Sequence, residues 1–110
     1  GKAYFREEDR RLRGLLADRP DDPILHFAMG NLHAGKNRWS DARSSYSSAV
    51  NRVPEHPDYL FNLAVSLDQL HQEKLATQYY NRALNASENL PSGFDRAQVE
   101  ARLRELQPSR

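Results

Sequence analysis

The 110-residue chain has no cysteine, one methionine, one tryptophan and five scattered glycines. Without thiols it can form neither disulfides nor thiolate ligands and nucleophiles, although that leaves the cellular compartment open. Glycines this dispersed exclude a phosphate-cradling loop, which needs several of them close together. No charge of one sign dominates either. Sixteen Lys+Arg against fifteen Asp+Glu leave a formal charge of +1, so no chain-wide field favours nucleic acid or an anionic membrane. No apolar run approaches the roughly 20 residues of a membrane-spanning helix. The first turns, crowded with Arg and Glu, do not read as a signal peptide. Apolar residues make up only 38% of the chain, which suits an architecture where each helix buries one stripe against its neighbours.

What the chain does have is one pattern written twice between Pro23 and Leu90. Shifted by 34 residues, Pro23 falls on Pro57, Phe27 on Phe61 and Met29 on Leu63. Ala42 falls on Ala76, Tyr46 on Tyr80, Ala49 on Ala83, Val50 on Leu84 and Asn51 on Asn85. A fixed period in this range marks stacked repeats. Within each copy the spacing is helical: Met29, Leu32 and His33 in one limb, then Ala42, Tyr46, Ala49, Val50 and Val53 in the next. Each copy is therefore predicted to be two short helices joined by a tight turn.

In chain order, residues 3–18 are predicted helical, with Phe5, Leu12, Leu15 and Leu16 on one face. The same shift sets Leu12 on Tyr46, Leu16 on Val50 and Pro20 on Pro54, so this segment reads as the second helix of an incomplete repeat. Glu8 stands where a small residue is expected. Pro20 and Pro23 break the chain, and Asp22 is placed to cap the next helix with Pro23 at its first position. That helix runs to about Ala34 and closes on Gly35, Lys36 and Asn37. Ser40 is expected to cap a helix reaching about Arg52. The second copy predicts helices over about 57–70 and 74–86, with a turn around His71 and Gln72 that lacks Gly or Asn. Ser92 with Asp95 is expected to cap a last helix over about 94–106, striped by Phe94, Val99, Leu103 and Leu106 and ended by Pro108. The count is six helices in one domain, 1–110, divided as 3–22, 23–56, 57–90 and a capping segment 91–110.

The small residues Gly30 and Ala64 stand in mid first helix. The second helices carry Ala42 and Ala76, Tyr46 and Tyr80, and Ala49 and Ala83, and Pro54 closes the first copy. In these residues and in its period the chain resembles the tetratricopeptide repeat family. The resemblance implies an all-α fold, an α-solenoid of antiparallel helix pairs, and a non-catalytic scaffold that binds a peptide, helix or partner subunit in a groove. It implies that Ile24, Phe27, Asn31, Asp58, Phe61, Asn62, Val65, Asp68, Gln69, Arg96 and Val99 line that groove. One subgroup of the family grips a C-terminal carboxylate with two Asn and three basic residues. Asn31, Asn62 and Arg96 match that set, but Phe27 and Ser92 stand where Lys belongs. The stretch from Pro57 to Asp68 is also similar to repeat domains of bacterial pilus and secretion-system assembly proteins.

Other constellations read as structure. His26 and His33 lie seven apart on one helix, but no Cys or third His stands at ligand spacing, so packing outweighs a metal site. The serines Ser40, Ser44, Ser45, Ser47 and Ser48 have neither a Gly-rich elbow nor a patterned His, so they read as a solvated face. No cofactor, nucleic acid or membrane insertion is expected. Self-assembly is the alternative to partner binding: an unmatched first helix would leave Leu12, Leu15 and Leu16 seeking cover, and a homo-oligomer would supply it.

Overall fold

The computed structural model describes residues 1–107, so Pro108 lies outside the described residues. Among those described there are six helices and no strand: α1 (Lys2–Asp18), α2 (Pro23–Gly35), α3 (Trp39–Arg52), α4 (Pro57–Gln69), α5 (Glu73–Ser87) and α6 (Arg96–Leu106). The chain divides between Pro54 and Glu55 into two compact units, one built from α1–α3 and the other from α4–α6.

In the first unit α2 and α3 form a hairpin, and α1 packs on α2. The carboxylate of Asp22 accepts the Ile24 N–H at 2.9 Å, satisfying an end donor while Pro23 takes the position that needs none. Leu25, Met29 and Leu32 recur on one face of α2 and bury against Leu12, with Phe5, Leu15, Leu16 and Ala28 packed around them. The other buried positions of α2, Gly30 and His33, flank the same stripe. Tyr46, 1% exposed, lies flat on Gly30: a methyl there would sit 2.5 Å from two of its ring carbons. Glycine costs a helix interior about 1 kcal/mol; here it makes room for a whole buried aromatic. The linker before α2 is tied down by His26, whose Nε2 donates to the Pro20 carbonyl at 2.7 Å. Arg52 adds an ion pair to Asp21 at 3.0 Å.

The second unit repeats the hairpin in α4 and α5 and adds α6, which packs on α5. Burial recurs with the sequence period: Leu25 and Tyr59, Met29 and Leu63, Gly30 and Ala64, Leu32 and Ser66, His33 and Leu67, and Tyr46 and Tyr80 are all buried. The turns match too. Arg38 N–H bonds to the His33 carbonyl and Gln72 N–H to that of Leu67, both at 2.9 Å. Between them Asn37 and His71 take left-handed φ values of 60° and 62°. Each turn is thus a Schellman closure, and in the second copy a histidine bears the strain that Gly or Asn would relieve.

The caps of three helices bear on the expectations, and two of them depart from what was expected. Ser40 does not cap α3, because the helix already begins at Trp39 with Arg38 at the cap and no side-chain bond there. α4 is capped by His56, whose Nδ1 accepts the Asp58 N–H at 3.2 Å. Asp95 alone caps α6 through the Ala97 N–H at 2.9 Å, leaving Phe94 outside the helix.

Two stability outcomes follow from the contrast between copies. Gly30→Val is expected to cost about 2 kcal/mol or more by overpacking against Tyr46, read as a lower denaturant midpoint. His33, 8% exposed, leaves its Nδ1 without a partner, and burial pulls its pKa below 6.5. The fold therefore keeps this ring neutral, and its stability falls as pH drops below 6.5 toward the folded value. His33→Leu, copying Leu67, is expected to raise stability by about 1 kcal/mol and to remove that pH dependence. A variant that unfolds earlier at every pH would contradict this.

Candidate functional site

The face of α2 turned away from Leu25, Met29 and Leu32 carries Ile24, Phe27 and Asn31. Spacings of three and four place these side chains in one row. Ile24 is 66% exposed in the first turn. Phe27 is half-buried, one side tilted on Tyr46 with centroids 5.6 Å apart. Asn31 is exposed, and its Oδ1 accepts the Tyr46 hydroxyl at 2.7 Å. Burial pushes that phenol up to about 12, so it stays a donor at neutral pH. The bond orients the amide and leaves its Nδ2 to donate elsewhere. The first unit therefore presents two apolar side chains and an oriented amide together.

The corresponding face of α4 is spent on its own unit. Phe61 tilts on Tyr80 at 6.2 Å and stacks on Phe94, with centroids 4.8 Å apart and planes 15° apart. The Asp58 carboxylate accepts the Gly93 N–H at 2.7 Å. Together these two contacts lay the segment preceding α6 across α4. Asn62 donates to the Asp58 carbonyl of its own helix at 2.8 Å. Arg96 donates to the Leu84 carbonyl at 2.8 Å and to the Ser87 hydroxyl. Val99, expected in the groove, is instead 2% exposed in the core. Val65 remains half-buried and Gln69 exposed.

Asp68 holds the unit's strongest polar contact. Its two oxygens accept Arg102 Nε at 2.8 Å and Nη2 at 2.7 Å, a bidentate pair. Oδ2 also accepts the Tyr80 hydroxyl at 2.9 Å. The Arg102 bonds hold the Asp68 carboxyl below its ordinary range, with the Tyr80 bond adding to the effect. One carboxylate thus joins α4, α5 and α6. Tyr80 bonds here because Val65 stands where the first copy has Asn31, so its hydroxyl finds the next acceptor along the helix.

Asn31, Asn62 and Arg96, the residues that matched a carboxylate clamp, are therefore engaged within the protein. Phe94, expected in the stripe of the last helix, instead precedes that helix and stacks on Phe61. An apolar residue directly before an N-cap Asp was the available signal, since that position commonly packs back as a staple. His26 and His56 are hydrogen-bonded and His33 is buried, and among the described residues no group of three or more His, Cys, Asp or Glu is placed to hold a metal. Ser44 and Ser48 bond back to the carbonyls of Ser40 and Ser44 in their own helix.

The Asp68 junction generates a measurable outcome. Asp68→Asn keeps the shape but removes the charge, and is expected to cost about 1–2 kcal/mol near neutral pH, the pair being partly exposed. Because the folded carboxyl titrates below 3.8, its contribution is present above that pH and lost as pH falls through the folded value. Urea unfolding should therefore show wild type and variant converging in acid. A gap that persists there would mean the charge contributes nothing.

No family model matches the chain, and no curated protein sequence matches it. Among solved structures it is similar to the Yersinia enterocolitica Type III Secretion Translocator Chaperone SycD. The two superpose with a TM-score of 0.85 at 17% sequence identity, covering 96% of this chain and 73% of that one. At that identity the likeness carries the fold: this chain is an all-α protein of tetratricopeptide-like helix pairs.

Proposed function

We propose that this chain is a non-catalytic tetratricopeptide-type module that binds a peptide, helix or partner subunit on the α2 face bearing Ile24, Phe27 and Asn31. The exposure of Ile24, 66% beside a half-open Phe27, is the observation that carries it. Apolar side chains grouped beside an oriented amide are what a protein ligand uses. Covering these two is worth on the order of 2–5 kcal/mol gross, before ordering costs. The second unit, taken by itself, carries a half-buried Val65 and an exposed Gln69 on α4. Asp58, Asn62, Asp68, Arg96 and Val99 serve cohesion instead.

Two further points support protein binding over chemistry. Ser44 and Ser48 are committed to helix carbonyls, His26 to a linker carbonyl, His56 to a cap and His33 to the core. The similar structure is that of a secretion chaperone, and a secretion or pilus-assembly setting is the context we propose to test first. Self-assembly loses the observation that motivated it. Leu12 is 2% exposed, and Leu15 and Leu16 pack on the same cluster, so α2 already covers the stripe of α1.

The test is affinity capture from the cells that make the protein, with the bound partner identified and titrated. Ile24→Asp and Phe27→Ala are each expected to weaken that partner about ten-fold, equivalent to about 1.4 kcal/mol, with far-ultraviolet circular dichroism unchanged. Leu75→Asp, at an exposed apolar position on α5, is expected to bind as wild type. Retained binding in both α2 variants would overturn the assignment.

A further inference from the structure

A second surface of the first unit, separate from that face, carries a different chemistry. Phe5 on α1 lies against the end of α2, so close that a methyl on Gly35 would stand 3.3 Å from its Cε1. This contact brings the first turns of α1 beside the turn between α2 and α3. Lys2 and Arg6 arrive from α1, and Lys36 and Arg38 arrive from either side of the left-handed Asn37. The four cations and Phe5 line an open cleft of about 350 Å³. Lys36 Nζ lies 5.6 Å from the centre of the Phe5 ring.

Two other α1 cations behave differently. Arg11 is paired with Glu8 at 2.8 Å and Arg13 with Asp9 at 2.9 Å. Among the described residues none of the four cleft cations forms an ion pair, and Asp9, the carboxylate that acts on Lys36 from nearby, is already held by Arg13. A chain of net charge +1 thus gathers four unneutralised positive charges around one aromatic ring. Such a concentration attracts an anion and repels a cationic partner.

We propose that this cleft docks an acidic, extended peptide segment of a partner protein. The geometry favours that occupant because the cations stand in two walls, Lys2 and Arg6 on one and Lys36 and Arg38 on the other. In an extended chain consecutive side chains point to opposite sides, so neighbouring carboxylates reach both walls while the backbone crosses the Phe5 ring. A nucleic-acid strand is the poorer fit, since four cations at one spot neutralise few phosphates. The surface shares no residue with the α2 face proposed above, and either assignment stands without the other.

The test uses a fluorescent Gly-Ser peptide holding a Glu-Asp-Glu-Asp run, a Gln-Asn-Gln-Asn version, oligouridylate and tripolyphosphate, followed by anisotropy at low and high salt. The acidic peptide is expected to bind at least about ten-fold tighter than the neutral one, weakening as salt rises. Arg6→Glu with Lys36→Glu is expected to reduce its affinity about ten-fold or more, and the milder Arg6→Gln with Lys36→Gln about three-fold, with helicity retained. Arg104→Glu, an exposed cation on α6, is expected to stay within about two-fold of wild type. Absent binding, an equal loss in Arg104→Glu, or tighter binding of either phosphate probe would overturn the proposal.

Discussion

Each helix hairpin is built around a buried tyrosine of its second helix. Tyr46 lies on Gly30 so closely that no side chain fits between them. Tyr80 and Ala64 hold the same two places in the second copy, both buried. The reason is geometric: a large ring fills the space between two helices only when the opposing position has almost no volume. Once that ring is seated, the alanines Ala42, Ala49, Ala76 and Ala83, all 0% exposed, let the backbones of each hairpin approach. The Schellman turns at Asn37 and His71 then have little freedom to do anything else.

The two tyrosines end in different chemistry, and the units diverge from there. The Tyr46 hydroxyl meets a neutral amide at the exposed Asn31. The Tyr80 hydroxyl meets the charged Asp68, which is also the anchor for Arg102 of α6. Adding a third helix after the hairpin turned the polar and aromatic residues of α4 inward to hold it. The Phe61–Phe94 stack, a kind of pair worth about 0.5–1.5 kcal/mol beyond area burial, belongs to the same transfer. Equivalent positions in a repeat therefore make different contacts, because Phe61 stacks on Phe94 whereas Phe27 tilts on Tyr46.

Charge follows a similar logic in the first unit. The pairs Glu8–Arg11 and Asp9–Arg13 are local, set by spacings of three and four on one helix. The unpaired cations at Lys2, Arg6, Lys36 and Arg38 are far apart in the chain and meet only because Phe5 needs the flat surface of Gly35. A near-neutral net charge concealed that concentration, since totals carry no information about where charges gather.

The period of 34, the small-against-large pairing, the Asp22 cap and the helix pairs are local or periodic, and the chain alone determined them. Repeating spacing dictates which stripe of each helix is apolar, and a stripe has few ways to be buried. What the tertiary structure decided is which of the remaining faces stay open. Asp58, Phe61 and Asp68 looked like groove residues because the period projects the face of α2 onto that of α4. Their actual partners, Gly93, Phe94 and Arg102, lie beyond the last repeat, where the period has nothing to say. Contacts between distant segments depend on where α6 lands, which is set by packing volume and by an aromatic ring outside any helix. Periodicity encodes the hairpins; availability to a partner is settled only when the whole unit closes around its tyrosine.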